Sequence, residues 1–194
     1  MCLTLFSSSS SSGYYLLIII MTIVTTSNPR ITFSSVTSET IPQLMDLHAR
    51  VFPVQYGEKF YNEVLHSEEL AKIIYYDNQC AGAICCRLES NKYSNFTARI
   101  YMMTLGVLKL YRNLGLGSML IEHIMEYARK TTNPMITSIY LHVQTVNEKA
   151  IRFYMRNGFR IHSFVPDYYR FIENRDAYIL SRPVFHLYEG NSKT

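Results

Sequence analysis

The sequence predicts a single α+β domain built on a mixed sheet that is flanked by helices. Apolar runs with the alternation of strands and apolar runs with helical spacing follow one another in the order β, α, α, β, β, β, α, β, α, β, β. The 194 residues are 48% hydrophobic and 18% charged, a composition that suits one buried core and argues against disorder.

Residues 1–28 differ from the rest of the chain, because a serine run over 7–12 precedes an apolar run over 14–24. The apolar run is shorter than the roughly 20 residues of a transmembrane helix, and it lacks the basic region of a secretory signal. We interpret 1–28 as a disordered low-complexity leader or a mis-assigned start, with Met21 as the alternative start. No membrane span is predicted. We expect the domain over 29–183 and a tail over 184–194.

The first half of the domain is predicted to contain a strand, two helices and a hairpin. Pro42 marks the start of the first helix, and Pro53 and Gly57 end it and leave aromatic residues on a loop. Residues 91–98 are polar and are expected to form a loop. The predicted elements are a strand over 31–33, a helix that carries Leu44, Leu47, His48 and Val51, a helix over 58–66, and a hairpin of strands over 70–76 and 81–88.

The second half is predicted to contain two consecutive strand–helix units and two final strands. Asn147 is a typical N-cap and Gly158 a typical helix stop. Because each helix begins just after a strand, both helix N-termini can face one cleft. The predicted elements are a strand over 99–105, a helix over 117–130, a strand over 136–143, a helix over 147–157, and strands over 159–164 and 176–180.

A glycine-rich turn, Arg-Asn-Leu-Gly-Leu-Gly over 112–117, joins the first of these strands to its helix. The first N–H groups of a helix have no intrahelical acceptor and carry the positive end of the helix dipole, so they can bind a phosphate. Gly115 and Gly117 lack the Cβ atoms that would block the approach. The spacing matches neither the dinucleotide fingerprint nor the P-loop. A tight turn without a ligand explains the glycines equally well.

Composition argues against other kinds of site. The net charge of +4 comes without a block of Lys or Arg, so no nucleic-acid partner is predicted. Cys2, Cys80, Cys85 and Cys86 have the spacing of neither a disulfide framework nor a zinc site, and the six histidines are scattered. No metal site is therefore predicted.

Two segments in succession resemble a known family. The Arg-x-x-Gly-x-Gly turn is followed, after another strand, by Asn-x-x-Ala-x-x-Phe-Tyr-x-x-x-Gly-Phe over 147–159. This succession resembles the GCN5-related N-acetyltransferases, which implies an α/β/α layered domain with a mostly antiparallel sheet. Within that superfamily the chain looks like the NatE-type N-alpha-acetyltransferases over roughly 30–180. The segments that carry this closer likeness are 52–56, 101–106, 139–144 and 168–169.

The resemblance implies acetyl-CoA as the co-substrate. The backbone at the strand end and the glycine turn would hold its pyrophosphate and pantetheine, and two residues of the next helix would complete the site. The implied residues are Leu105, Gly106, Val107, Arg112, Asn113, Leu114, Gly115, Leu116, Gly117, Ser118, Asn147 and Tyr154. Two interpretations of Tyr154 stay open: a hydrogen bond to the leaving sulfur, and ordinary aromatic packing.

Tyr101 and His142 match the catalytic pair of the family. His142 titrates near neutrality and can take a proton from the substrate amine directly or through a water. Tyr101 is expected to orient the water or the amine, because an ordinary tyrosine is a poor base. A protein α-amine has a pKa of about 8 and a lysine about 10.4. A site without a carboxylate base therefore suits an N-terminus better than a lysine.

The resemblance also implies a peptide-binding cleft with aromatic walls. Its substrates would be protein N-termini that retain the initiator Met followed by a hydrophobic or other non-acidic residue. The partners implied are the auxiliary and catalytic subunits of NatA at the ribosome, and the location is cytoplasmic and also nuclear. The expected substrate-binding residues are Phe52, Pro53, Val54, Tyr56, Met103, Tyr168, Tyr169, Arg170, Phe171 and Ile172.

Three alternatives remain at this point. The chain is compatible with a lysine acetyltransferase, including one that acts on histones, and with an acetyltransferase for small amines. It is also compatible with a mainly structural subunit of a ribosome-bound NatA-type complex. The intact turn over 112–117 argues against a purely structural role, because a scaffold needs no phosphate site.

Overall fold

A computed structural model describes residues 30–91, 93–170 and 172–186. The predicted leader over 1–28, the alternative start at Met21 and the site residue Phe171 lie outside the described residues. No helix within the described ranges combines the length and apolar character needed to cross a membrane.

The described chain forms a seven-stranded mixed sheet in the order β1-β2-β3-β4-β5-β7-β6. The predicted α+β class and the predicted order of elements are confirmed. The elements are β1 (Ile31–Ser35), α1 (Ile41–Val51), α2 (Glu58–Leu65), β2 (Ala71–Tyr76), β3 (Gln79–Asn91), β4 (Ser94–Val107), α3 (Leu116–Lys130), β5 (Met135–Gln144), α4 (Glu148–Arg156), β6 (Arg160–Val165) and β7 (Ala177–Pro183).

The helices lie in two layers, one on each face of the sheet. On one face, α3 buries Leu120 and Ile124 in a core that also holds Phe159. On the other face, α1 buries Leu44 and Leu47 in a second core that includes residues of α2, β2 and β3. The sheet is therefore the middle layer of an α/β/α domain, as expected.

The prediction of a loop over 91–98 is wrong, because β4 begins at Ser94 and pairs with β3 as a long hairpin. Tyr93 and Phe96 are exposed near the tip of this hairpin. The exposed end of a hairpin needs no buried face, so its sequence lacks the alternation that identifies a strand.

The strands β4 and β5 form the single parallel pair of the described sheet, and their pairing stops early. The last paired residues are Tyr101 and Tyr140, although β4 continues to Val107 and β5 to Gln144. The two strands therefore separate beyond Tyr101. A β-bulge at Met103 also interrupts the β3–β4 register near this point, since Met102 pairs with Cys86 and Thr104 pairs with Cys85.

Candidate active site

The glycine turn leads into an open helix N-terminus. Gly115 is the N-cap of α3 with φ at 79°, and Asn113 before it has φ at 63°. These left-handed conformations explain a glycine and an asparagine here. No described residue accepts a hydrogen bond from the N–H groups over 116–118. The space where a Gly115 Cβ would lie is also open, with no heavy atom within 4 Å. These residues therefore fit a phosphate group.

Gly117 also has a structural reason to lack a side chain, which the sequence did not suggest. A Cβ on Gly117 would lie 3.0 Å from the Phe153 ring of α4, so the glycine allows the two helices to pack closely. A bulky residue there would disturb packing as well as ligand binding. Arg112, at the start of the turn, donates from Nε to the Val107 carbonyl at 3.0 Å and fastens the turn to the end of β4.

The predicted cofactor residues of α4 have structural partners. Asn147 caps the helix, since its side-chain oxygen accepts from the Ala150 N–H at 3.2 Å. Tyr154 is buried and its ring packs edge-on against Phe153 and Phe159. Burial raises the pKa of Tyr154. Its hydroxyl therefore stays protonated, which is compatible with both interpretations of this residue.

The structure brings Tyr101 and His142 together where β4 and β5 separate. The Tyr101 hydroxyl lies 3.3 Å from His142 Nδ1 and 3.0 Å from the Tyr168 hydroxyl. The ring of His142 stacks on that of Tyr168, with centroids 3.9 Å apart and planes 5° from parallel. Three side chains from two strands and a distant loop thus form one hydrogen-bonded cluster beside the point where the strands separate.

The pKa values of Tyr101 and His142 are shifted in opposite directions. Burial, together with the hydrogen bond and charge of Tyr168, raises the pKa of Tyr101 above its ordinary value. Burial lowers the pKa of His142, while the carboxylate of Glu89 acts in the opposite direction. At neutral pH, Tyr101 is therefore a protonated hydroxyl and His142 is a neutral imidazole that can accept a proton.

Sequence reasoning missed a polar network beside the pair. Arg87 donates to Glu89 Oε1 from Nε at 3.0 Å and from Nη2 at 2.8 Å, and the Tyr140 hydroxyl donates to Oε2 of the same carboxylate. The Arg87 guanidinium also lies 4.8 Å from the centroid of the Tyr101 ring. Burial disfavours the charge of Glu89, but the hydrogen bonds from Tyr140 and Arg87 keep its pKa below the ordinary value.

The alternation of these residues was a usable signal. Arg87 and Glu89 are two apart on β3, and Tyr140 and His142 are two apart on β5, so each couple shares a face of the sheet. The predicted strand ended at Leu88, which left Glu89 outside the sheet.

Two segments flank the cleft. The N-terminal wall comprises residues 52–56, after α1, and the tyrosine loop comprises residues 166–176, between β6 and β7. Burial raises the pKa of Tyr169 to about 12. The Tyr168 ring stacks on His142 of β5, and the Phe52 ring lies 3.2 Å from the position of a Gly106 Cβ on β4, so each segment borders one of the two separating strands.

The tyrosine loop is fastened by its own polar contacts. The Tyr169 N–H donates to the Arg175 carbonyl at 2.9 Å, and the Arg175 side chain pairs with Asp167 at 3.2 Å. Gln144, at the end of β5, donates to the Asn174 carbonyl at 2.7 Å. These contacts hold Tyr168 against Tyr101 and His142.

The remaining predicted site residues differ in burial. Pro53 and Val54 on the N-terminal wall and Arg170 on the tyrosine loop are exposed, whereas Ile172 and Met103 are half-buried. The half-buried or buried residues at the end of β4 are Leu105, Gly106 and Val107, and the exposed residues of the turn include Leu114. The described residues contain no group of three side chains that could hold a metal ion.

Comparisons with known proteins place this geometry in a family. The model of the acetyltransferase (GNAT) family matches residues 41–159. The probable N-acetyltransferase san of Drosophila melanogaster is 45% identical over 78% of this chain and 80% of its own length. N-alpha-acetyltransferase 50 of Danio rerio is 42% identical over 79% of this chain and 88% of its own length.

Solved structures of acetyltransferases have the same fold as this chain. The structure of Arabidopsis thaliana Naa50 in complex with the bisubstrate analogue CoA-Ac-MVNAL is 41% identical, with a TM-score of 0.72 over 79% of this chain and 98% of that one. The structure of Arabidopsis thaliana NAA60 in complex with acetyl-CoA, 22% identical, has a TM-score of 0.70 over 79% of this chain and 99% of that one, and it supports the fold alone. The predicted superfamily is confirmed. The chain belongs to the acetyltransferase (GNAT) family.

Proposed function

We propose that this chain acetylates the N-terminal amine of proteins that retain the initiator Met followed by a hydrophobic or other non-acidic residue. Relatives at 42% and 45% identity are named as an N-alpha-acetyltransferase and a probable N-acetyltransferase. The observation that carries the proposal is the Tyr101–His142 pair, 3.3 Å apart at the separation of β4 and β5.

The co-substrate is acetyl-CoA, and the residues around the glycine turn fit it. When bound, acetyl-CoA supplies an acetyl group in a thioester. The N–H groups over 116–118 and the Arg112 side chain would bind its pyrophosphate at the N-terminus of α3. The backbone of Leu105 and Val107, at the end of β4, would bind the pantetheine.

His142 acts as the base in this proposal. Its neutral imidazole accepts the proton of the substrate amine, directly or through a water. Tyr101 keeps its own proton and orients the water or amine through its hydroxyl, which Tyr168 also contacts. Tyr154, likewise protonated, can donate a hydrogen bond to the sulfur that leaves. Each group thus has a protonation state at neutral pH that suits its role.

The basicity of the site supports an α-amine over a lysine side chain. Because the pKa of His142 is lowered, the imidazole is a weak base and favours an amine that is already partly neutral. About a tenth of α-amines are neutral at pH 7, a far larger share than for lysine. A lysine acetyltransferase is therefore not favoured.

The lining of the cleft favours a Met as the first residue of the peptide. Phe52 and Tyr56 on the N-terminal wall, with Tyr168 and Tyr169 on the tyrosine loop, offer an apolar and aromatic lining that suits a long thioether side chain. The bisubstrate analogue in the Arabidopsis Naa50 structure carries the peptide MVNAL, which begins with Met followed by an apolar residue.

Peptide acetylation with radiolabelled acetyl-CoA tests the substrate. Peptides that begin Met-Leu are expected to be labelled, and the same peptides with a blocked N-terminus and an internal lysine are not. Peptides that begin Met-Asp measure the preference at the second position. Equal labelling of free and blocked peptides would identify a lysine acetyltransferase and contradict the proposal.

Association with the auxiliary and catalytic subunits of NatA at the ribosome, in the cytoplasm and nucleus, is a further part of the proposal. It follows from the resemblance to NatE-type enzymes. Co-purification of those subunits with the tagged chain from cytoplasmic and nuclear fractions tests it. A chain that binds the subunits but shows no heat of acetyl-CoA binding by calorimetry would be a structural subunit instead.

A further inference from the structure

A buried polar cluster lies behind the N-terminal wall and contains no member of the catalytic pair. Its centre is His48 of α1, which is 1% exposed. His48 Nδ1 lies 3.4 Å from the Tyr61 hydroxyl of α2, and Nε2 lies 3.4 Å from the Thr104 hydroxyl of β4. Burial lowers the pKa of His48 to about 4. The ring is therefore neutral, with one nitrogen that donates and one that accepts.

Aromatic rings enclose this imidazole. Two of them, Phe52 and Tyr56, belong to the N-terminal wall, and their centroids lie 5.3 Å and 5.1 Å from that of His48. Phe60 and Tyr61 of α2 lie at 5.6 Å and 5.9 Å. The imidazole is thus the common surface on which the wall and α2 pack.

The N-terminal wall depends on this packing because its backbone has little regular structure. Within the described chain, residues 52–56 make one backbone hydrogen bond, in which the Phe52 N–H donates to the His48 carbonyl at 3.0 Å. On its other side the Phe52 ring lies against Gly106 of β4, 3.2 Å from the position of a Gly106 Cβ. Phe52 is therefore held between His48 and the strand proposed to bind pantetheine.

We propose that His48 is a positioning residue that sets the pocket for the first side chain of the peptide. The Tyr61 and Thr104 hydroxyls fix the imidazole plane, and the plane fixes the Phe52 and Tyr56 rings that the side chain contacts. This inference rests on the proposed function and deepens it. A phenylalanine at position 48 would keep an aromatic surface but would leave both hydroxyls without their partner.

The test is steady-state kinetics on a Met-Leu peptide with His48→Phe, Tyr61→Phe and a matched control. The control is Tyr75→Phe, since the Tyr75 hydroxyl also bonds to a residue of α1, Gln43, at 2.6 Å, but does not contact His48. We expect the peptide KM to rise about fivefold in the first two variants, the effect of losing one net hydrogen bond. The KM for acetyl-CoA and kcat should stay within about twofold, and the control should match the wild type.

Other outcomes overturn the inference in distinguishable ways. An unchanged peptide KM in Tyr61→Phe would show that the hydroxyl–imidazole contact does not set the pocket. A fall in kcat together with a rise in both KM values would indicate a general structural role. If His48→Phe does not unfold cooperatively, the variant is not properly folded and its kinetics are not used. Tyr61→Phe then tests the inference alone, because it removes a single oxygen atom. A wild-type protein that labels no Met peptide would overturn the proposed function and this inference together.

Discussion

His48 and His142 both lie inside the domain beside tyrosine hydroxyls, yet their surroundings differ. His48 is enclosed by neutral rings, and burial lowers its pKa to about 4. His142 is half-buried and faces the cleft, and the carboxylate of Glu89 opposes the effect of burial on its pKa. A nearby charge and partial exposure keep one imidazole able to exchange protons, whereas full enclosure makes the other a neutral packing element.

The largest expected effect comes from removing the imidazole on the cleft. His142→Ala should lower kcat by about 10²- to 10⁴-fold, the usual contribution of a general base. Calorimetric binding of acetyl-CoA should be retained, since no proposed contact with the pyrophosphate is lost. A variant with wild-type kcat would show that His142 is not the base.

The enclosed imidazole should control stability at acid pH. Between pH 6.5 and 4 the unfolded chain binds a proton at position 48 that the folded chain does not, so stability falls as the pH is lowered through this range. The full loss in the free energy of unfolding is about 3 kcal/mol. The groups that face His48 are the hydroxyls of Tyr56, Tyr61 and Thr104, with the Cys85 thiol beyond them, and none is charged in this range.

Urea unfolding at pH 7, 5.5 and 4.5 measures this loss. The unfolding free energy of His48→Phe should depend less steeply on pH than that of the wild type. Subtracting one dependence from the other cancels the contribution of the carboxylates, which both proteins share. His142→Ala serves as the comparison and should keep nearly the wild-type slope. Identical slopes for the wild type and His48→Phe would contradict the buried neutral state.

A smaller effect is expected from Tyr101→Phe, which removes the hydroxyl shared by His142 and Tyr168. We expect kcat to fall about tenfold, the equivalent of one hydrogen bond. The pH at which kcat/KM reaches half its maximum should not move, because Tyr101 stays protonated throughout. A variant that loses the pH dependence would identify Tyr101 as the titrating base.

The smallest effect is a shift of the pH profile in Glu89→Gln. The Glu89 charge raises the pKa of His142, so its removal should lower that pKa and move the acidic limb of kcat/KM to lower pH. The control is Glu126→Gln on α3, where the glutamate pairs with Lys130. A shift toward higher pH, or an equal shift in the control, would argue against an electrostatic effect of Glu89.

Local signals predicted most of the fold. Asn147 caps α4 and Gly158 ends it with φ at 82°, as their residue types suggested. The hairpin arm that begins at Ser94 was missed because its residues are solvated and need no apolar alternation. Element order could be predicted, but the early end of β4–β5 pairing depends on long-range packing and has no signature in either strand.

Less of the candidate site than of the fold could be predicted from the sequence. Residue types and family likeness identified Tyr101 and His142, but their 3.3 Å contact depends on the register of β4 on β5. Glu89 was missed because the predicted strand ended at Leu88 and because the bond to Tyr140 joins strands distant in sequence. The close packing of Gly117 on the Phe153 ring had no signal in the sequence, which suggested only an open approach for a phosphate. The roles of these residues stay predictions that the kinetic measurements will test.

The parallel junction between β4 and β5 also has a consequence for folding. Residues up to β4 form an antiparallel meander that carries Tyr101, and β5 to β7 form a second antiparallel group that carries His142. The two groups pair through strands that are connected by a crossover through α3, and such non-local contacts form slowly. Recovery of activity during refolding therefore reports the docking of the two groups, and it should lag behind the recovery of helical circular dichroism.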